Sequence, residues 1–303
     1  MTSENISKWS RKATELPVLP VVVTTLMSLD IDNDDAFTEL LSLAKVDPGL
    51  ALEVLRTLRV KSDSSVAITS LEKALNRIGT VSLKAMVTNR SSVQVFVPTS
   101  HSDICMWLHF IQVAIASAQL AQSFRPLNVD RNNAYLAGLL HDVGRLVDFE
   151  RLSKSPSEVD MVGYEDPAEL LMAEAEAFGH DHVQLGSIAG HAWSLPDYVI
   201  GAIEHHHSDL HTVSIKEDKL KIVEIVKFAD EISMYAMRRG TSDQQAFRRL
   251  CRSFFEKRSV FLHKLSPSQE PLDRILATMI ESAEHEFARL KLGKAPTNCK
   301  NHA

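Results

Sequence analysis

Cysteine is scarce in this 303-residue chain, and Cys105, Cys251 and Cys299 are far apart, odd in number and outside any CxxC. That distribution argues against a disulfide framework and against a thiolate zinc site, so reduced thiols are the expectation. Glycine and proline are also sparse, 11 of each, and no β-branched run alternates convincingly with polar residues. Strands therefore have little support. No apolar stretch approaches the roughly 20 residues of a membrane span, and the start "MTSENISKWSRKATELP" lacks the charged-then-apolar order of a signal peptide. A cytoplasmic location with no membrane partner is expected. A basic excess is missing too: the formal net charge is -6 with a pI near 6.1. A dominant phosphate-binding surface is thereby disfavoured, and nucleic acid is not the expected partner.

What remains is 45% hydrophobic and 24% charged residues, the composition of a globular protein of one large or two modest domains. Helix signals are legible throughout. "DPGLALEVLRTL" puts Asp47 at an N-cap with Pro48 at the first helical position, and "TSLEKALNRIG" has Thr69 and Glu72 at capping-box spacing with Gly79 as the stop. "LPVLPVVVTTLMSL" enters a helix through prolines, and "DDAFTELLSLAKV" supplies another apolar face. An all-α fold is predicted, with a small N-terminal helical lobe over 1–100, a helical bundle over 101–292 and a flexible tail over 293–303. "VPTSHSD" reads as the connector and "RLSKSPSEVD" as a polar loop.

Seven of the 13 histidines lie between His180 and His211. Imidazole suits zinc, iron and nickel, while carboxylates take harder ions and can bridge two metals, so a mixed His/Asp set suits a mono- or binuclear site. His109, in "WLHFIQVAIA", shares a helix stripe with Val113 and Ala116; its alternative is a core histidine bonded to a backbone carbonyl. His141 and Asp142 follow the apolar "AYLAGLL" and stand roughly 100° apart on a helix, so both can address one pocket. Asp230 borders the stripe of Ile222, Ile225 and Ala229, with a salt bridge to Arg145 as its alternative. His206 and His207 are consecutive, so at most one shares a helix face with the stripe while its neighbour reaches sideways; His205 and His211 are expected in solvent.

The order "WLH", "LAGLLHDVGRL", "GHDHVQLGSIAGHAWSLPDYVIGAIEHHH", "FAD" resembles the HD superfamily of metal-dependent phosphohydrolases. The N-terminal "LPVLPVVVTTLMSL…LLSLAKVDPGLALEVLRTL" resembles specifically the HDOD domain, a helical bacterial signalling module related to HD-GYP proteins. The resemblance runs from about Leu16 to Asp230. It implies His109, His141, Asp142, His182, His206, His207 and Asp230 as metal ligands for one or two divalent ions, iron, manganese, zinc or nickel. Asp142 becomes the candidate bridging carboxylate and catalytic centre. Arg145 replaces the lysine often found in "HDxGK" and is a candidate for pairing with a phosphate. Many HDOD proteins have lost several of these ligands, whereas this chain keeps the set. After His207 comes "SDLHTVSIKED" without a Gly-Tyr-Pro motif, so cyclic-diguanylate phosphodiesterase activity is not transferred.

The expected function, because the resemblance is to HDOD rather than to the catalytic branches, is a stand-alone regulatory module binding a signalling protein or a small phosphorylated ligand; the alternatives are a metal-dependent phosphohydrolase acting on a nucleotide or phosphate ester, and a buried polar network with no ligand. The apolar face of "PLDRILATMIESAEHEFARLKL" is expected to close the bundle, and the oligomeric state is left open.

Overall fold

The scarcity of helix breakers translates into helices nearly end to end in the computed structural model, which describes residues 9, 17–33, 35–61, 70–88, 95–98, 100–147, 159–240, 242–265, 268–292, 295, 296 and 299. The expected loop over 151–158 lies outside those residues, as does most of the first 16 and of the tail. Fourteen α-helices and two 3-10 turns occur among the described residues, with no strand. One parallel bridge joins Val18 and Val95.

Pro20 stands at the first position of α1 (Pro20–Ser28), and α2 (Ala36–Val46) and α3 (Pro48–Lys61) follow. Asp47 ties the three together. Its Oδ1 accepts the Leu50 N–H at 2.8 Å, the expected cap, and its Oδ2 accepts the Leu19 N–H at 2.9 Å. Burial pushes this carboxyl up to about 6 against those backbone hydrogen bonds. Helix α4 (Leu71–Ile78) is capped by Ser70, which accepts the Lys73 N–H at 3.1 Å. The expected box of Thr69 and Glu72 is thus displaced by one residue, and Lys73 at N3 has no carboxylate with which to close it; Thr69 itself lies outside the described residues. Gly79 ends α4 with φ 79°, and α5 (Thr80–Thr88) follows.

The expected connector before the bundle is itself a helix start. Ser100 and Asp103 form a reciprocal capping box at the head of α6 (His101–Ser123), the central helix, against which the later α7 (Arg131–Leu140), α12 (Glu217–Arg239) and α14 (Gln269–Ala288) pack. With 23 residues and an 18-residue window of mean hydropathy 1.5, α6 is long and apolar enough to cross a membrane by length and composition, which corrects the expectation that no stretch is. It is apolar nearly all round because 83% of that apolar window is buried among the other helices. Trp107 stacks on Phe96 and donates from Nε1 to the Val46 carbonyl at 3.1 Å, so the early helices and α6 share one core. As expected, α14 closes the bundle: Met279, Ala283 and Phe287 are buried.

The thiol expectation is corrected as well. Cys105 on α6 and Cys299 form a disulfide across 194 residues, their Cα atoms 5.9 Å apart, and the Cys299 N–H donates to the Met237 carbonyl at 2.8 Å. The fold brings together two cysteines whose separation in sequence carries no pairing signal. Cys299 is therefore buried, where a solvated tail was expected. Cys251 remains a buried thiol, its pKa pushed up to about 12 by burial.

Candidate metal centre

Five elements converge beside the middle of α6. His109 comes from α6; His141 is the C-cap of α7, and Asp142 follows in the turn before α8 (Gly144–Val147). Beyond α9 (Pro167–Phe178), His182 opens α10 (His182–Ala192); His206 is the C-cap of α11 (Asp197–His205), and Asp230 lies on α12. Gly144 makes the convergence possible. A Cβ there would stand 1.8 Å from the His182 carbonyl oxygen and 2.6 Å from the Gly186 nitrogen, so only glycine lets the turn after Asp142 lie against α10.

All seven predicted ligands meet in this one place, six of them with less than a tenth of their surface exposed and His207 only slightly more open. Two sets are distinguishable. His109, His141 and Asp230 form one, and Asp142, His182, His206 and His207 the other, each with its ligand atoms within 4.8 Å of one another. Asp142 lies between them. Its Oδ1 is 3.1 Å from His182 Nε2, 3.2 Å from His206 Nε2 and 3.6 Å from His141 Nε2, while Oδ2 is 3.8 Å from His109 Nε2. His109 Nε2 lies 3.2 Å from His141 Nε2 and 3.4 Å from Asp230 Oδ1, and His207 Nδ1 is 3.8 Å from Asp230 Oδ2. Ligand atoms about 2.0–2.2 Å from a common ion stand roughly 3.0–3.5 Å apart, so the spacings of 3.1, 3.2, 3.2 and 3.4 Å fit a coordination shell while those of 3.6 and 3.8 Å are wider than one.

The opposite ring nitrogens are held by acceptors. Nδ1 of His141 donates to the Gly138 carbonyl at 2.8 Å, that of His206 to the Ala202 carbonyl at 2.9 Å, and that of His182 to Glu174 Oε2 at 2.6 Å. His109 Nδ1 pairs with Ser233 Oγ at 2.9 Å, and because that hydroxyl donates to Gln112 Oε1, it accepts from the histidine. Four imidazoles thus turn Nε2 toward the cluster, the arrangement that orients metal-binding histidines. The carbonyl alternative for His109 is not what holds it.

Arg145 sits behind the ligands. Nε donates to Asp142 Oδ2 at 2.8 Å and Nη1 to Glu174 Oε1 at 2.6 Å, in a buried network, while one edge lines the adjoining cavity. Those are its ion pairs; Asp230, the alternative partner, faces His109 and His207. Lys227 donates to the His206 carbonyl at 2.9 Å, pinning the end of α11. That end explains why both His206 and His207 point inward: the helix stops at His205, so the consecutive histidines escape the restriction of a shared helix face. His211 is exposed and His205 half-buried.

The electrostatics suit a cation. Burial, and then neighbouring histidines, hold His109 and His207 well below the usual imidazole range, and burial lowers His141 and His206, so these rings are neutral and ligand-ready. For Asp142, burial alone would raise the pKa, but His182, His141 and Arg145 outweigh it and keep the carboxylate ionised. His182 is the exception: burial and Arg145 oppose its charge, yet Asp142 and Glu174 push it up to about 9. Two buried atoms aimed into the cluster are poorly served: His207 Nδ1 has no hydrogen-bond partner, and Asp142 Oδ1 has only the poorly aligned Nε2 atoms of His182 and His206 at 3.1 and 3.2 Å. A divalent ion satisfies both, so the residues fit the group they are arranged around.

Glu174, Ser233 and Gln112 escaped the sequence reading. Glu174 is one of three glutamates in "ELLMAEAEAF", and nothing local marks it as the one that faces inward.

A family model of the HDOD domain matches residues 16–209. The chain belongs to the HDOD family. Among curated proteins, this HDOD chain is 28% identical over 165 residues to ribonuclease Y of Malacoplasma penetrans, covering 52% of the chain and 27% of that protein. It is 30% identical over 125 residues to ribonuclease Y of Mycoplasma mycoides, covering 41% and 21%. The chain thus spans about a quarter of the length of these relatives. Among solved structures, a virulence factor from Campylobacter jejuni superposes with a TM-score of 0.61 at 16% identity, covering 92% of this chain and 96% of that one. The MmoQ response regulator from Methylococcus capsulatus gives 0.59 at 19% identity, covering 87% and 98%. Those likenesses concern the fold.

Proposed function

We propose that this HDOD protein is a metal-dependent phosphohydrolase acting on a phosphate ester or nucleotide, in a regulatory role. The observation that carries the reading is the complete ligand set opening onto a cavity of about 400 Å³, whose lining includes His109, Asp142, His207 and Asp230. A buried polar network without a ligand would have no use for a cavity reaching its centre, nor would it leave His207 Nδ1 without a partner.

His109, His141 and Asp230 would hold one ion and His182, His206 and His207 a second, with Asp142 between. Bound divalent ions supply Lewis acidity toward phosphoryl oxygens and bring the pKa of water near neutrality. The chain's own residues do the rest. Glu174 fixes the His182 ring through Nδ1, and Ser233 with Gln112 fixes His109. Arg145 holds the Asp142 carboxylate in place from behind, a positioning role, and keeps one edge on the cavity where its remaining N–H groups can meet a phosphate. Met161, Leu170 and Met234 line the cavity with apolar surface.

The reading is tested by elemental analysis of untagged protein followed by assay against phosphomonoesters, phosphodiesters, nucleotides and a short oligoribonucleotide, the last because the relatives named above are ribonucleases. One or two equivalents of iron, manganese, zinc or nickel, with turnover lost in Asp142→Ala, is the expected result. Metal-loaded protein that turns over nothing in the panel overturns it and leaves the regulatory binding module, which the HDOD family assignment favours.

A further inference from the structure

The cavity that reaches the metal ligands has a second chemical character at its other end. In a chain of net charge -6, four arginines line its outer wall: Arg238, Arg239, Arg249 and Arg258. Two are committed. Arg238 donates from Nε to the Val162 carbonyl at 2.9 Å and from Nη2 to the Tyr164 carbonyl, anchoring the segment before α9 against α12. Arg258 pairs with Glu231 at 2.9 Å. The other two are not matched in this way. Arg239, at the end of α12, and Arg249, on α13 (Gln244–Lys257), each stand 4.0 Å from the same oxygen of Asp243, at the limit of ion pairing. That aspartate is also the N-cap of α13, its Oδ1 accepting the Ala246 N–H at 2.8 Å. Two guanidinium groups therefore share one carboxylate already engaged; Glu165, the exposed carboxylate of the lining, acts on Arg238.

Between this pair and the His/Asp centre the wall is apolar and aromatic, with Met161, Tyr164, Met234 and Leu250. Guanidinium groups bind phosphate through paired N–H donors, and an aromatic wall suits a base or sugar. We propose that Arg239 and Arg249 form a second phosphate subsite, so that the ligand of this cavity is a nucleotide carrying two phosphoryl groups, one at the metal centre and one on the arginines. The inference rests on the phosphohydrolase reading for the first of those groups. Adjacent phosphates, as in a nucleoside diphosphate, and phosphates set apart across a sugar, as in a broken or intact phosphodiester chain, share this chemistry.

Isothermal titration of the full-length protein with AMP, ADP and adenosine 3′,5′-bisphosphate, as isolated and after dialysis against a chelator, tests the inference. The side chains of Arg239 and Arg249 are 50% and 67% exposed, so water screens their charge and the expected advantage of a second phosphate is modest, about tenfold over AMP. Arg239→Gln/Arg249→Gln should erase that advantage while melting temperature and metal content stay those of the wild type. Preference for ADP assigns adjacent phosphates, preference for the bisphosphate assigns separated ones, and either supports the subsite. Equal binding of all three nucleotides, or an advantage that survives in the double variant, overturns it. Loss of metal and turnover with the two-phosphate preference intact would instead defeat the phosphohydrolase reading alone.

Discussion

Glu174 offers the sharpest test of how the centre is built. Its Oε1 accepts Arg145 Nη1 at 2.6 Å, and its Oε2 accepts both the His182 ring at 2.6 Å and the His182 backbone N–H at 3.0 Å. Burial would raise its pKa, but Arg145 and His182 hold the carboxyl down at about 2. Glu174→Gln keeps the size and one acceptor while removing the charge. Arg145, 6% exposed, is then left with only Asp142 to neutralise it. Removing one partner of a buried ion pair costs about 3–5 kcal/mol when the other is stranded. Because Asp142 still compensates Arg145, a loss of about 2–3 kcal/mol is expected, read as a lower denaturant midpoint at unchanged m-value. The amide also lets its NH₂ face the His182 ring, which frees the wrong tautomer. Loss of such a supporting contact weakens metal binding by about 10–100-fold, read by competition with a chromophoric chelator. A variant that unfolds at the wild-type midpoint and binds metal equally well would refute the claim that Glu174 organises the centre.

Three further perturbations follow from the same structure. Gly144→Ala should unfold the site or the protein, because its Cβ would stand 1.8 Å from the His182 carbonyl oxygen; wild-type circular dichroism with normal metal content would contradict the packing of α8 on α10. Cys299→Ser should lower stability by about 2–4 kcal/mol relative to the oxidised protein, and non-reducing peptide mapping should recover the Cys105–Cys299 pair with Cys251 labelled only after unfolding. Asp47, raised in the folded protein from 3.8 to about 6, contributes stability that is complete below about pH 4 and lost as pH rises through 6. Asp47→Asn abolishes that slope, so the difference between wild type and variant should move against wild type by about 2.4 kcal/mol between pH 4 and pH 7, at 1.36 kcal/mol per unit of pKa shift; a constant difference would show that the carboxyl is not desolvated.

The helices and His109 were legible because each announces itself locally, whereas the seven candidate ligands as a set were legible through the order of motifs that resembles the HD superfamily. A proline at the first helical position, an apolar stripe or a histidine inside such a stripe is a short-range pattern, and α1, α3 and His109 all fall where those patterns put them. What sequence reading misplaced depends on pairs brought together by the fold. Cys105 and Cys299 are 194 residues apart, Arg145 and Glu174 are 29 apart, and His109 and Ser233 are 124 apart. The cap of α4 moved by one residue, from Thr69 to Ser70, because two adjacent hydroxyl residues are equivalent in sequence and only the backbone chooses between them.

Arg145 shows how that limit bears on function. Its position after the His-Asp pair makes it a natural phosphate ligand on paper, and an arginine there does carry the right donors. Glu174, invisible locally, takes Nη1 while Asp142 takes Nε, so two of the five guanidinium N–H groups hold the ligands and only the edge on the cavity is left for an anion. Arg239 and Arg249, further along the same cavity, share a single carboxylate at 4.0 Å. On the proposed reading the buried arginine assembles the centre and the exposed pair selects what reaches it, a division of labour set by which guanidinium has carboxylates within hydrogen-bond distance.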